Sequence, residues 1–256
     1  LTEKFRQGNV VSKKELRSYT GKIETVASLL YTVKPFVQPL WAAVYADAGG
    51  APLNCVWTSM IRPSLDWLSA FLREESSGPL RRHFRLDAHG NTGIPLRITT
   101  DASPWGIGGM LVEDGWPVEF FHDKVTDDDV NVLGIVVGSS SAQQALEALA
   151  VLAALRVWAP RWKNRRVRLS VKSDSVAALT ILLKCKTKGE APGILAREVA
   201  LDLAASNYAP NIIQHLPGVV NTVADVLSRR YAPKSPQQLP PIVRGASLRS
   251  LHRRCP

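Results

Sequence analysis

The run "SAQQALEALAVLAALRVW", residues 141–158, limits what this chain can fold into more than any other stretch. Apolar residues occupy nearly every face of the helix it would form, and Glu147 is the only charged side chain between Ala142 and Leu155. A helix that is apolar all round must be buried. Its apolar stretch is too short to cross a bilayer and carries a carboxylate, so other parts of the same chain have to cover it. Glu147 then needs a cationic partner, a metal ion or a proton. A glutamate that points outward or pairs with an arginine is the structural alternative.

The covering layer is legible after Pro95, where the hydrophobic period becomes two. Leu96, Ile98 and Thr100 alternate with Arg97, Thr99 and Asp101 as a strand requires, and "GIGGMLVED" and "PVEFFHD" extend it into a three-stranded antiparallel meander. The helix of residues 141–158 follows. Then come the strand "RVRLSVKSD", helices through "SVAALTILLK" and "PGILAREVALDLAASNY", the strand "NIIQHLP" and a last short helix, "NTVADVLSRR". This order predicts an α/β fold, a mixed sheet covered by helices. Residues 1–90 read as helices: "SKKE" at 12–15 is a capping box, Gly21 is expected to interrupt the helix it starts, another begins near Pro35, and "PSLDWLSAFLREE" places Leu65, Leu68, Ala70 and Leu72 on an apolar face. A linker is expected over residues 76–94.

Two of the strands end on acids. Asp101 closes the first strand of the meander, and Asp174 closes "VRLSVKSD" and opens a helix, where capping that helix would be reason enough for it. Asp225 sits in the first turn of the last helix, a place the macrodipole favours for any acid. Each alone is weak. If the two strands are parallel neighbours, however, Asp101 and Asp174 lie at one edge of the sheet, where ligands collect. Glu147 and Asp225 are then able to join them. Four converging carboxylates without a His or Cys cluster select hard divalent cations, Mg²⁺ or Mn²⁺.

The chain carries 32 Lys plus Arg against 22 Asp plus Glu, a net charge of +10, which favours a polyanionic partner. Six of the basic residues fall at 161–172, among them Arg161, Lys163, Arg165 and Arg166, beside Trp158 and Trp162, a pairing suited to a nucleic-acid backbone groove. Trp105 and Trp116 read as core or turn packing. Five more cations and no acid lie in residues 233–256, expected to be a disordered tail. Three scattered cysteines give neither a disulfide framework nor a zinc site, which favours a reducing, intracellular compartment. The start at Leu1 suggests a fragment of a longer polypeptide.

The ordered series "TTDASPWGIGGML", "SAQQALEALAVLAAL", "LSVKSDSVAAL" and "QHLPGVVNTVADVLSRR" resembles the ribonuclease H domain of retroelement reverse transcriptases, over residues 94–231. Residues 1–90 resemble, more weakly, the thumb or connection segment that precedes that domain. The resemblance implies a mixed five-stranded sheet, three strands antiparallel and then two parallel. It also implies an endonuclease that cuts the RNA strand of RNA/DNA hybrids with two Mg²⁺ ions, Mn²⁺ being an alternative. Asp101, Glu147, Asp174 and Asp225 would be the metal ligands, Asp101 bridging both ions, and His215 the histidine of a mobile loop that assists turnover. Asn221 matches the Asn of "PGxxN", although capping its helix explains it too. Ser141, Gln143 and Gln144, just ahead of Glu147, are candidates for reading 2′-hydroxyls. A polymerase module of the same polyprotein is the implied partner, and the Tyr-x-Asp-Asp polymerase motif is absent from this chain. The alternatives are a catalytically inactive remnant that binds nucleic acid or serves assembly, and a DNA exonuclease or integrase-like nuclease, against which "HLPGVVNTVADVLSRR" argues.

Overall fold

A computed structural model of the chain describes residues 1–47, 49–73, 93–162, 167–205 and 212–251. It divides into two units, Leu1–His83 and Phe84–Pro256, each with its own core. The linker expected at 76–94 falls almost wholly outside the described residues.

In the first unit α1 (Thr2–Gln7) leads into β1 (Val10–Ser12), which pairs antiparallel with β2 (Cys55–Trp57). This small sheet was not expected. Helix α2 (Lys13–Leu29) starts where the Ser12 side chain accepts from the Glu15 amide at 3.2 Å. It runs straight through Gly21, contrary to expectation. A mid-helix glycine costs about 1 kcal/mol, and the buried stripe of Leu16, Tyr19, Ile23 and Ala27 outweighs it. Helices α3 (Lys34–Tyr45) and α4 (Arg62–Leu72) meet through Phe36, whose ring stacks on Trp67 at 3.5 Å. Leu65, Leu68 and Phe71 form the buried face of α4; Leu72, expected there, is exposed.

The second unit is built on a sheet of order β7-β6-β3-β4-β5-β8, in which β8 is Ser247–Leu248. β3 (Ile94–Ser103), β4 (Gly106–Glu113) and β5 (Trp116–Lys124) form the antiparallel meander, and β6 (Val167–Ser173) and β7 (Ile212–His215) extend it in parallel beside β3. Three antiparallel and then two parallel strands is the arrangement that the resemblance implies. Helix α5 (Asp127–Leu133), missed in the sequence, opens on a capping box between Thr126 and Asp129. Helix α6 (Gln143–Trp158) has every residue from Ala145 to Leu155 buried, Glu147 included, and packs on the sheet through Leu96 and Ile98. Its far end is held by Arg156, which pairs with Glu198 and Asp202 of α8 (Glu190–Ala205) at 2.6 Å each. Helix α7 (Val176–Lys184) follows β6.

The opposite sheet face carries α9 (Thr222–Ser228). Glycine is required beneath it: a Cβ at Gly108 would lie 2.6 Å from the Leu227 Cβ and the Ser228 nitrogen. That close approach seats α9 on β4, with Leu227 packed among Met110, Val112, Phe120 and Val243.

Residues 232–251 are ordered, against the expectation of a disordered tail. Pro241–Val243 forms a 3₁₀ turn that buries Val243, and β8 (Ser247–Leu248) pairs parallel with β5 as a sixth strand. Arg249 bonds the buried carboxylate of Glu119 at 2.6 Å. Arg161 pairs with the same carboxylate, so it is engaged with the sheet and not free for a polyanion. Trp158 and Trp162 are core residues, which removes them from any nucleic-acid groove, whereas Trp116 stands exposed at the β4–β5 turn. No helix among the described residues is long and apolar enough to cross a membrane.

Candidate metal centre

Strands β3 and β6 are parallel neighbours in register from Ile94↔Val167 to Thr99↔Lys172, so both carboxyl ends reach one edge of the sheet. Asp101 stands at that edge on β3, and Asp174 follows the last residue of β6. The cap of α7 is Ser175, whose side chain accepts from the Ala178 amide at 3.2 Å. Asp174 is thereby released from the capping duty that its position allowed. Glu147 arrives in the first turns of α6. Carboxylate oxygens of Asp101, Glu147 and Asp174 all lie within 4.8 Å of one another.

Each acid is oriented by a neighbour. Gln143 donates one amide hydrogen to Glu147 Oε1 at 2.7 Å and the other to the Ala102 carbonyl at 2.6 Å, tying helix to strand. Ser228 donates to Asp101 Oδ2 at 2.6 Å. Glu147 Oε2 and Asp174 Oδ1 are buried and have no hydrogen-bond partner among the described residues. Burial pushes Asp101 up to about 7, with Asp174 and Asp225 adding to the shift and the Ser228 hydrogen bond opposing it. Burial likewise pushes Glu147 up to about 9, reinforced by Asp101 and Asp174 and opposed by Gln143. Two orphaned oxygens, three close acids and two raised pKa values describe a site that wants positive charge. An all-oxygen donor set fits a hard divalent cation, which Asp101, Glu147 and Asp174 would hold.

The fourth expected ligand lies apart. Asp225 is close enough to act on Asp101, but its carboxylate is outside the group of three and bonds Arg229 at 2.6 Å, one helical turn on. His215 ends β7, opposite Ser173, and its Nε2–H donates to the Asp174 carbonyl at 2.9 Å. It is an exposed strand-end histidine at the rim of the cluster. Asn221 is buried, and its amide donates to the Thr100 carbonyl at 3.0 Å and not to its own helix. It ties α9 to β3 and is out of reach of a polymer. Ser141 and Gln144 are exposed ahead of Glu147, while Gln143 is turned inward. Lys163, Arg165 and Arg166 lie outside the described residues.

Sequence reasoning missed Ser228 and Arg229 altogether. Their signal was present in "DVLSRR": three and four residues after Asp225 on a helix, both share its face.

No protein-family model matches the chain, and no curated protein matches it. Among solved structures, it is similar to RNase H1 from the halophilic archaeon Halobacterium salinarum NRC-1, with 17% identity over 56% of this chain and 98% of that one, at a TM-score of 0.40. It is also similar to a foamy viral protease-reverse transcriptase, described as dRH and in complex with double-stranded DNA, with 16% identity over 82% of this chain and 36% of that one, at a TM-score of 0.32. A second foamy viral protease-reverse transcriptase complex with double-stranded DNA gives 14% identity, 82% and 42% coverage, and a TM-score of 0.28.

Proposed function

We propose that the chain is a metal-dependent endonuclease that hydrolyses the RNA strand of RNA/DNA hybrids, working within a retroelement polyprotein beside a polymerase module. The observation that carries this reading is the meeting of Asp101, Glu147 and Asp174 within 4.8 Å, with buried carboxylate oxygens left unpartnered. Two Mg²⁺ ions, or Mn²⁺, would supply there an activated water and charge stabilisation at the leaving oxygen of a phosphodiester.

The protein's own groups do the rest. Ser228 and Gln143 hold Asp101 and Glu147 in fixed orientations, so the site is organised before substrate arrives. Asp225 is the fourth ligand of this reading once Arg229 lets it go. His215, exposed beside Asp174, is the residue proposed to assist turnover. The net charge of +10 favours attraction of a nucleic-acid backbone. Ser141 and Gln144 are the exposed polar groups proposed to meet the 2′-hydroxyls, and Lys163, Arg165 and Arg166 the cations proposed to meet phosphates.

The Arg229–Asp225 ion pair favours a second reading, a non-catalytic module that binds nucleic acid with its fourth acid permanently neutralised. One experiment separates the two. Labelled RNA/DNA hybrid, double-stranded RNA and double-stranded DNA are incubated with Mg²⁺ and either the wild type or Asp101→Asn. Cleavage of the hybrid's RNA strand by the wild type alone supports the nuclease. Hybrid bound but uncut supports the second reading, and equal cleavage by both proteins, or preference for duplex DNA, refutes the first.

A further inference from the structure

Helix α9 is only seven residues long and leaves part of its sheet face uncovered. Between that face and the chain leading into α9 lies a half-open cavity of about 150 Å³. This is about the volume of an apolar protein cavity that takes up benzene. Met110 of β4, Leu216 and Val223 give it an apolar lining.

Two cations also line it, Arg97 of β3 and Lys172 of β6. In the parallel register Arg97 stands beside Ser170 and Thr99 beside Lys172, so the two basic side chains are diagonal neighbours on one sheet face. No ion pair engages either of them among the described residues. The third polar feature is Asn221, 2% exposed, which also lines the cavity. With its Nδ2 committed to Thr100, its Oδ1 is a buried acceptor without a donor among the described residues.

We propose that this cavity binds a small organic anion, an aromatic carboxylate of about the size of a hydroxybenzoate. Its carboxylate lies with Arg97 and Lys172, and its ring packs against Met110, Leu216 and Val223. A nucleic-acid backbone does not suit the same place, because phosphates need an open cationic track and this lining is concave and largely apolar. The inference stands apart from the nuclease reading, since none of the groups it uses belongs to the acid cluster.

Calorimetric titration of the full chain with 3-hydroxybenzoate tests it. One saturable site is expected. Affinity should fall about tenfold or more in Arg97→Gln/Lys172→Gln, which loses two charge-assisted contacts. Phenol and inorganic phosphate, each with half of the required chemistry, should bind at least about tenfold more weakly. Arg97 is exposed and Lys172 half-buried, and neither has an ion pair to lose among the described residues, so circular dichroism should give the double variant a wild-type thermal midpoint. Absence of saturable binding, equal affinity in the double variant, or phosphate binding as tightly as hydroxybenzoate would overturn the assignment.

Discussion

The Ser228 hydroxyl donates to Asp101 Oδ2 across 2.6 Å, joining residues 127 apart in sequence. The contact exists because Gly108, the partner of Asp101 in the β3–β4 register, has no side chain to hold α9 off the sheet. One missing methyl group thus orients one of the two buried acids of the cluster. Removing the hydroxyl in Ser228→Ala leaves Asp101 less able to ionise. Divalent-metal affinity should fall about 10- to 100-fold, the usual effect of losing a hydrogen bond behind a metal ligand. The Mg²⁺ dependence of the thermal midpoint measures it.

Stability of the metal-free protein should fall as pH rises. Asp101 and Glu147 have ordinary values of 3.8 and 4.5 and are raised in the folded state to about 7 and about 9. Between those limits the folded chain binds more protons than the unfolded one, so each pH step upward favours unfolding. The loss runs from about pH 4 to about pH 9, and Glu147→Gln should flatten its upper part. Saturating Mg²⁺ should weaken the slope, because bound cation replaces the proton. Thermal melts across this range, with and without Mg²⁺, check both statements.

Arg229→Gln should free Asp225. Both partners are partly exposed, so the pair itself contributes at most about 1 kcal/mol to stability. Unfolding should therefore change little, while the number of Mn²⁺ ions bound, or the affinity for the weaker one, should increase. Equilibrium dialysis gives the count.

A chain ending at Tyr231 loses Arg249, β8 and the buried Val243 together. Glu119 keeps Arg161 but loses its second cation, so the cost should be about 1–3 kcal/mol, less than the 3–5 kcal/mol expected when a buried charge loses all its partners. Urea unfolding of the shortened chain provides the comparison.

Local patterns carried most of the fold. Period-two alternation marked β3 and β6, and their parallel pairing accounts for why Asp101 and Asp174 meet. Glu147 stood out because it is the only charged residue between Ala142 and Leu155. What escaped depends on partners far away in sequence. The two-residue β8 has no pattern of its own and is held by Arg249 on Glu119 and by its amide on the Phe120 carbonyl at 2.8 Å. Arg161 looked like part of a basic run suited to a nucleic-acid groove until a buried glutamate claimed it. Asn221 carried the signature of a helix cap, yet its amide reached across to β3. Helix α5 is the exception: its Thr126–Asp129 capping box was local, but the acid-rich segment around it disguised a helix start.

Manganese titrated into the metal-free chain, with the free ion followed by electron paramagnetic resonance, reports directly on whether Asp101, Glu147 and Asp174 form a cation site. The expected result is saturable uptake by the wild type that is lost in Asp101→Asn while the variant stays folded. No saturable uptake by the wild type, or uptake by Asp101→Asn as tight as the wild type's, would contradict it.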